Sequence, residues 1–158
     1  MQATAQKITI AIVDDSDPYR EALSYYFSQL DDIEILFEAC DGLELIENLK
    51  TKQPQVILLD MDMPNLNGLE ALNKLRDEYP SIKFIILTMY NEKSVIWSFI
   101  ANGANSYLNK SADAEEIYTA IVKCCDADFY MNDWINDALI NKVKHTSATQ
   151  KYLLSSEV

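Results

Sequence analysis

Apolar residues follow two alternating rhythms along the chain: short unbroken runs, and longer stretches spaced at helical intervals. The runs Ile8–Val13, Ile33–Ala39, Pro54–Asp60, Ile82–Leu87 and Asn105–Asn109 read as strands. Between them, Leu23, Tyr26, Phe27 and Leu30 predict a helix over 18–31, capped by Ser16 or Asp17 with Pro18 in its first turn. Asp41-Gly42 turns into a helix carrying Leu45, Ile46 and Leu49, and Leu69, Leu72 and Leu75 mark another that ends before Pro80. Val95, Ile96, Phe99 and Ile100 predict a helix from Glu92 to Asn102, with Gly103 as its stop. Ser111 or Asp113 caps a last helix of this series, with Ile117, Ile121 and Cys124 on one face and Glu115-Glu116 at its positive end.

Strand and helix thus alternate five times with connections of a few residues, the pattern of a parallel sheet with helices on both faces. The stretch Val56–Gly68 is the centre of that pattern. Four aliphatic residues, Val56 to Leu59, suit a strand buried on both faces, and Pro64 with Asn67-Gly68 forces a loop after it. Asp60 is therefore expected at the carboxyl end of a central strand, the edge where open α/β sheets bind ligands. An Asp there also serves commonly as a turn former or helix cap.

Residues 129–158 differ from the domain over 1–128 and read as a C-terminal helix and tail. Asn132 is the expected cap of a helix to about Lys144, with Trp134, Ile135, Ala138, Leu139 and Val143 as its apolar stripe. The stripe is expected to pack back on its own domain; linking to a further domain or pairing with a second copy is the alternative. Lys151–Val158 is too short to fold alone.

Composition narrows the function. With 158 residues and 49% hydrophobic content the chain suits one globular domain with a short appendage. Its net charge of −12 lies almost wholly before Phe129. A surface this acidic repels nucleic-acid backbones and anionic membranes and attracts divalent cations and basic protein surfaces. Cys40, Cys124 and Cys125 offer neither a disulfide framework nor zinc spacing, so reduced, mostly buried thiols in a cytoplasmic protein are expected. No run approaches the length of a membrane span.

Polar groups stand at four strand ends: Asp14-Asp15, Asp60, Thr88 and Lys110. In a parallel sheet these ends share one edge. Three crowded carboxylates resist ionisation, and all-oxygen ligation of Mg²⁺ relieves them. Metal, ammonium and hydroxyl around one carboxylate make a cradle for a transferring phosphoryl group, with Asp60 as nucleophile. Each residue also has an ordinary structural use, as cap, strand residue or solvated charge.

Val13-Asp14-Asp15, Asp60-Met61-Asp62-Met63-Pro64 with Gly68, Leu87-Thr88 and Tyr107-Leu108-Asn109-Lys110 together resemble a two-component response regulator receiver domain, over about residues 7–126. Thr88-Met89-Tyr90, Gly103-Ala104 and Lys110-Ser111 resemble its NarL/FixJ (LuxR-type) branch. The resemblance implies a doubly wound, flavodoxin-like sheet of five parallel strands in the order 2-1-3-4-5. It implies that Asp60 accepts a phosphoryl group from a sensor histidine kinase. Asp15 and Asp60 would ligate Mg²⁺ with the backbone carbonyl of Asp62, Asp14 acting through water. Lys110 and Thr88 would bind phosphoryl oxygens, and Thr88 moving toward them would free space into which Tyr107 rotates. Asp62 and Tyr90 lie near enough to bear on phosphoryl lifetime. The expected outcome is a signalling switch that catalyses only its own phosphorylation and dephosphorylation, serving transcription regulation, with homodimerisation on phosphorylation. That branch usually continues into a helix-turn-helix domain, so the chain is expected to be a receiver fragment or a stand-alone receiver, binding no nucleic acid or membrane itself.

Two other classes fit parts of the pattern. Asp60-Met61-Asp62 matches the first motif of haloacid dehalogenase-type phosphatases, but Pro64 stands where they carry Thr or Val, and their metal-binding acids follow the lysine. A pseudo-receiver acting only as an interaction module would not need the full set of acids, hydroxyl and lysine.

Overall fold

A computed structural model of the chain describes residues 6–155. Five strands, β1 (Ile8–Val13), β2 (Ile33–Ala39), β3 (Val56–Asp60), β4 (Lys83–Thr88) and β5 (Ser106–Asn109), form one parallel sheet in the order β2-β1-β3-β4-β5. The chain runs outward from β1 to β2, then returns across it to β3. The switch point expected from the sequence is therefore present, between β1 and β3. β3 is buried along its whole length, which is why its residues show no polar alternation.

The pleat divides the core into two. Ala11, Val13, Ile57, Leu59, Phe84, Ile86 and Tyr107 face one side of the sheet. Ile10, Ile12, Val56, Leu58, Ile85, Leu87 and Leu108 face the other. On the second side lie α1 (Asp17–Ser28), through Leu23 and Phe27, and α5 (Ala114–Ala127), through Ile117, Ala120, Ile121 and Cys124. On the first lie α2 (Gly42–Leu49), α3 (Gly68–Leu75) and α4 (Lys93–Ala101). Ser16 caps α1, its hydroxyl accepting from the Tyr19 amide, and Asp113 caps α5, accepting from the Glu116 amide. Both choices left open by the sequence are resolved in this way.

The predicted helix over 18–31 is shorter at its C-terminal end, closing at Ser28 as the chain turns toward β2. Gly103 ends the turn after α4 at φ 99°, a left-handed conformation that favours glycine, and the Arg76 side chain crosses directly beneath it. Cys40 is exposed, unlike Cys124, so the expectation of mostly buried thiols holds only for the α5 pair.

The last helix, α6 (Asp133–Ser155), runs well past the expected end at Lys144; residues 156–158 of the predicted tail lie outside the described residues. Asn132 is its cap, accepting from the Ile135 amide at 3.0 Å. The stripe packs back on the domain as expected: Ile135 and Ala138 are buried, and Trp134 and Leu139 lie half-buried against α4 and β5. Val143 is the exception at 64% exposed, although the preceding residue Lys142 still reaches the Trp97 ring of α4.

Asn105 ties these parts together. Its carbonyl oxygen accepts from the Phe84 amide at 2.9 Å and from Arg76 at 3.2 Å, and its amide donates to the Asp128 carbonyl at 2.8 Å. Asn105→Ala removes the side-chain partner of the Phe84 amide and of the Asp128 carbonyl, while Arg76 keeps its backbone acceptors, and is expected to lower unfolding free energy by about 2 kcal/mol. Chemical denaturation that returned the wild-type midpoint would contradict this latch.

Candidate functional site

The carboxyl ends of β1, β3, β4 and β5 bring the expected groups to one edge. Asp60 is the last residue of β3 and only 3% exposed. Its Oδ1 accepts from the Asp62 amide at 3.2 Å and lies 3.1 Å from Lys110 Nζ. Its Oδ2 is equally buried and has no hydrogen-bond donor. A buried carboxylate oxygen left bare is costly unless something supplies positive charge. It marks the point at which the site is incomplete by itself.

Asp14, directly after β1, is buried beside it. Its Oδ1 accepts from the Ser16 amide at 2.8 Å and its Oδ2 lies 2.7 Å from Lys110 Nζ. Arg20 donates to the Asp14 backbone carbonyl, anchoring the start of α1 to this turn. Asp15 is exposed at the mouth. Carboxylate oxygens of Asp14, Asp15 and Asp60 all lie within 4.8 Å of one another, a hard-oxygen donor set that suits a divalent cation.

Lys110 is delivered by β5, whose end is fixed to β4 by the Lys110 amide donating to the Thr88 carbonyl at 2.8 Å. Its ammonium is the shared counter-ion of Asp14 and Asp60 and sits 4.9 Å from the centre of the Tyr19 ring. Burial disfavours the charge on Lys110, but the two carboxylates outweigh it and its pKa is raised. Asp60 moves the other way for an acid. Burial first, and then the Asp14 charge, push its pKa from 3.8 up to about 7, against the pull of Lys110. Burial and the same two carboxylates also raise Tyr19. The Tyr19 hydroxyl is buried without a partner.

The remaining expected residues are placed differently from one another. Thr88 is buried at the end of β4, but its hydroxyl is engaged, accepting from the Tyr90 amide at 3.1 Å and lying 3.5 Å from Met61 Sδ. Tyr107 was expected to move into space freed by Thr88. In this structure the ring is fully buried, 5.8 Å from Phe99, with its hydroxyl donating to the Tyr90 carbonyl at 3.1 Å. Burial pushes the Tyr107 hydroxyl up to about 12, with Thr88 close enough to oppose the shift. Asp62 meets Asp60 through its amide, and its exposed carboxylate raises the Tyr90 pKa. Gly68 lies so close beneath the strand end that a Cβ would come within 2.4 Å of the Asp60 carbonyl oxygen. Sequence reasoning passed over Tyr19, in the first turn of α1, and read Ser16 only as a helix cap, without the amide it gives to Asp14.

A second acidic group, Cys40, Asp41 and Glu44, is already engaged internally. Asp41 caps α2 and accepts from Asn65, while Glu44 accepts from the Cys40 thiol.

The raised pKa of Asp60 has a definite sign. Between about 4 and about 7 the folded protein holds a proton that the unfolded chain releases, so this group makes stability fall as pH rises through that window. With divalent cations chelated, Asp60→Asn is expected to raise the melting temperature, by more at about pH 8 than at about pH 5. A gain that did not grow with pH would contradict the buried, strained carboxylate.

The family model for the response regulator receiver domain matches residues 10–122. The chain is 29% identical over 143 residues to the transcriptional regulatory protein DegU of Brevibacillus brevis, covering 90% of this chain and 61% of that protein. It is 31% identical over 134 residues to the oxygen regulatory protein NreC of Staphylococcus carnosus, covering 84% and 62%. The chain thus spans about three fifths of the length of these curated relatives. Among solved structures, a LuxR-family two-component response regulator from Aurantimonas superposes with a TM-score of 0.79 at 23% identity, over 87% of this chain and 98% of that one. The receiver domain of the NarL regulator of Mycobacterium tuberculosis gives 0.74 at 24% identity, over 78% and 99%. With its acids ahead of Asp60 in one cluster, its flavodoxin-like sheet and this match across most of its length, the chain belongs to the response regulator receiver domains, among relatives of the NarL and LuxR type.

Proposed function

We propose that this chain is a phosphoryl-accepting signalling switch with Asp60 as the acceptor. The observation that carries the reading is the bare, buried Oδ2 of Asp60, on a carboxylate whose Oδ1 faces the Lys110 ammonium and which clusters with two further carboxylates. An Asp60 oxygen attacks the phosphorus of a phosphohistidine on a sensor histidine kinase. The P–O bond forms as the P–N bond breaks, and the imidazole leaves with its electron pair and takes a proton. The product is an aspartyl phosphate.

Lys110 already faces the Asp60 carboxylate and donates to a phosphoryl oxygen as charge grows there. Thr88 supplies a hydroxyl donor after leaving Met61, an exchange that gives up only a weak sulfur contact. Asp15 and Asp60 would hold Mg²⁺ with the Asp62 backbone carbonyl, and Asp14 through water, the ion neutralising the crowded negative charge. Tyr107 reads the result through the loop between β4 and α4. The chemistry ends on the protein itself, so the chain is a switch and not a turnover enzyme. No helix among the described residues is long and apolar enough to cross a membrane; a cytoplasmic location beside the kinase follows from the proposed role alone. Relatives named as transcriptional or oxygen regulatory proteins support a role in transcription control; pairing of the phosphorylated form with a second copy is part of the same proposal.

Incubation with acetyl phosphate and Mg²⁺ is expected to add the mass of one phosphoryl group to the wild type and none to Asp60→Asn. An undiminished gain in the variant would overturn the assignment. Asp15→Ala is expected to weaken Mg²⁺ binding by about tenfold or more, since even outer partners of a metal site contribute on that scale. Unchanged affinity by calorimetry would place the metal elsewhere.

A further inference from the structure

The polar route from the phosphoryl site does not stop at Tyr107. The Tyr90 amide donates to Thr88 Oγ1 at 3.1 Å, and the Tyr90 carbonyl accepts the Tyr107 hydroxyl at 3.1 Å. The Tyr107 carbonyl in turn accepts from Asn132 Nδ2 at 2.8 Å, while the other end of that amide caps α6. Ile135, one turn into α6, is fully buried in the core that holds Phe99 and Tyr107. The segment leading into α6 is fastened to the same strand, the Ser106 hydroxyl donating to the Tyr130 carbonyl at 2.8 Å. Every grip that β5 has on this segment therefore surrounds Tyr107.

We infer that α6 is a positioning element for the phosphoryl site, with Asn132 and Ile135 as its positioning residues. The inference rests on the phosphoryl-acceptor reading of Asp60. Docked, α6 closes the interior over Tyr107 and clamps its backbone. Tyr107 then holds the Tyr90 carbonyl, and Tyr90 holds the Thr88 hydroxyl at the end of β4. A released α6 uncovers Tyr107, removes the Asn132 clamp and leaves the loop between β4 and α4 free to move. The docked interface is modest, with Ile135 and Ala138 buried and Ile140 and Val143 exposed, so its opening is within reach of a ligand's binding energy. Coupling between two sites is reciprocal. An arrangement of Thr88 that α6 favours is one that a phosphoryl group at Asp60 will use to tighten α6.

The chain carries its own reporters of this step. Its two tryptophans are Trp97 on α4 and Trp134 on α6, and Lys142 of α6 lies 5.5 Å over the Trp97 ring. Beryllofluoride with Mg²⁺ is the phosphoryl mimic to titrate into the full chain. In the wild type it is expected to change tryptophan emission and slow amide hydrogen exchange in the first turns of α6, and Asp60→Asn should abolish both effects. Ile135→Ala and Asn132→Asp are expected to lower beryllofluoride affinity by calorimetry about fivefold, the lower range of ordinary allosteric coupling. Asn132→Asp keeps the helix cap and loses only the donor to Tyr107, so it separates positioning from helix formation. Ile121→Val, in the core on the opposite face of the sheet, is the control for general loosening and should bind as the wild type does. A wild type that binds beryllofluoride while both α6 variants match its affinity overturns the inference and leaves the Asp60 reading standing. Exchange in α6 that is unchanged or faster on binding overturns it likewise. A wild type that shows no beryllofluoride response by any of these probes overturns both.

Discussion

Two buried carboxylates facing one ammonium set the terms for this structure. Asp14 and Asp60 end adjacent parallel strands, so the sheet itself forces them together, and Lys110 arrives from β5 to stand between them. One positive charge does not satisfy two negative ones in a dry environment, and the imbalance shows in the raised pKa of Asp60 and in its bare oxygen. The fold tolerates this because the strands beneath are fully buried and the surrounding backbone is tied down. Arg20 holds the Asp14 carbonyl, the Asp14 amide donates to Ala39, and the Lys110 amide donates to Thr88. Strain at the edge is thus carried by a rigid sheet, and a cation or a phosphoryl group that relieves it gains binding energy from doing so.

The same economy explains how a local charge event reaches the far side of α4. Thr88 ends β4 and Tyr107 lies within its neighbour β5, and the loop residue Tyr90 bridges them with its amide on one and its carbonyl on the other. In the proposed switch a shift in the Thr88 hydroxyl alters this loop, which the Tyr107 hydroxyl holds, while α6 packs against α4 and β5. The helix that looks like an appendage in the chain is, in space, part of the core that encloses Tyr107.

Much of this was legible in the residues, for identifiable reasons. Strand ends could be read because buried strands stop abruptly on polar residues, and a parallel sheet leaves no choice about which ends converge. The separation of Asp14, Asp60, Thr88 and Lys110 along the chain was therefore no obstacle. What could not be read depended on three-dimensional partners. Whether Tyr107 lies in or out turns on Phe99 and Ile135, which come from different helices. The engagement of Thr88 by Met61 and Tyr90 depends on rotamers and loop geometry, for which no periodicity exists. Tyr19 lies outside the helical pattern of Leu23, Tyr26, Phe27 and Leu30, and only the assembled site reveals its ring beside Lys110. The extension of α6 to Ser155 ran past residues whose polarity offered neither a stop signal nor a clear apolar stripe.

The central claim is that a single carboxylate, strained by its neighbours, takes up phosphoryl groups. Borohydride reduction after treatment with phosphoramidate and Mg²⁺ tests it most directly, because an aspartyl phosphate is reduced to homoserine where an ordinary carboxylate is not. Peptide sequencing by mass spectrometry is predicted to find homoserine at position 60 and at no other acidic position, and none when the phosphodonor is omitted. Homoserine at another aspartate, or none anywhere in donor-treated protein, would contradict the account.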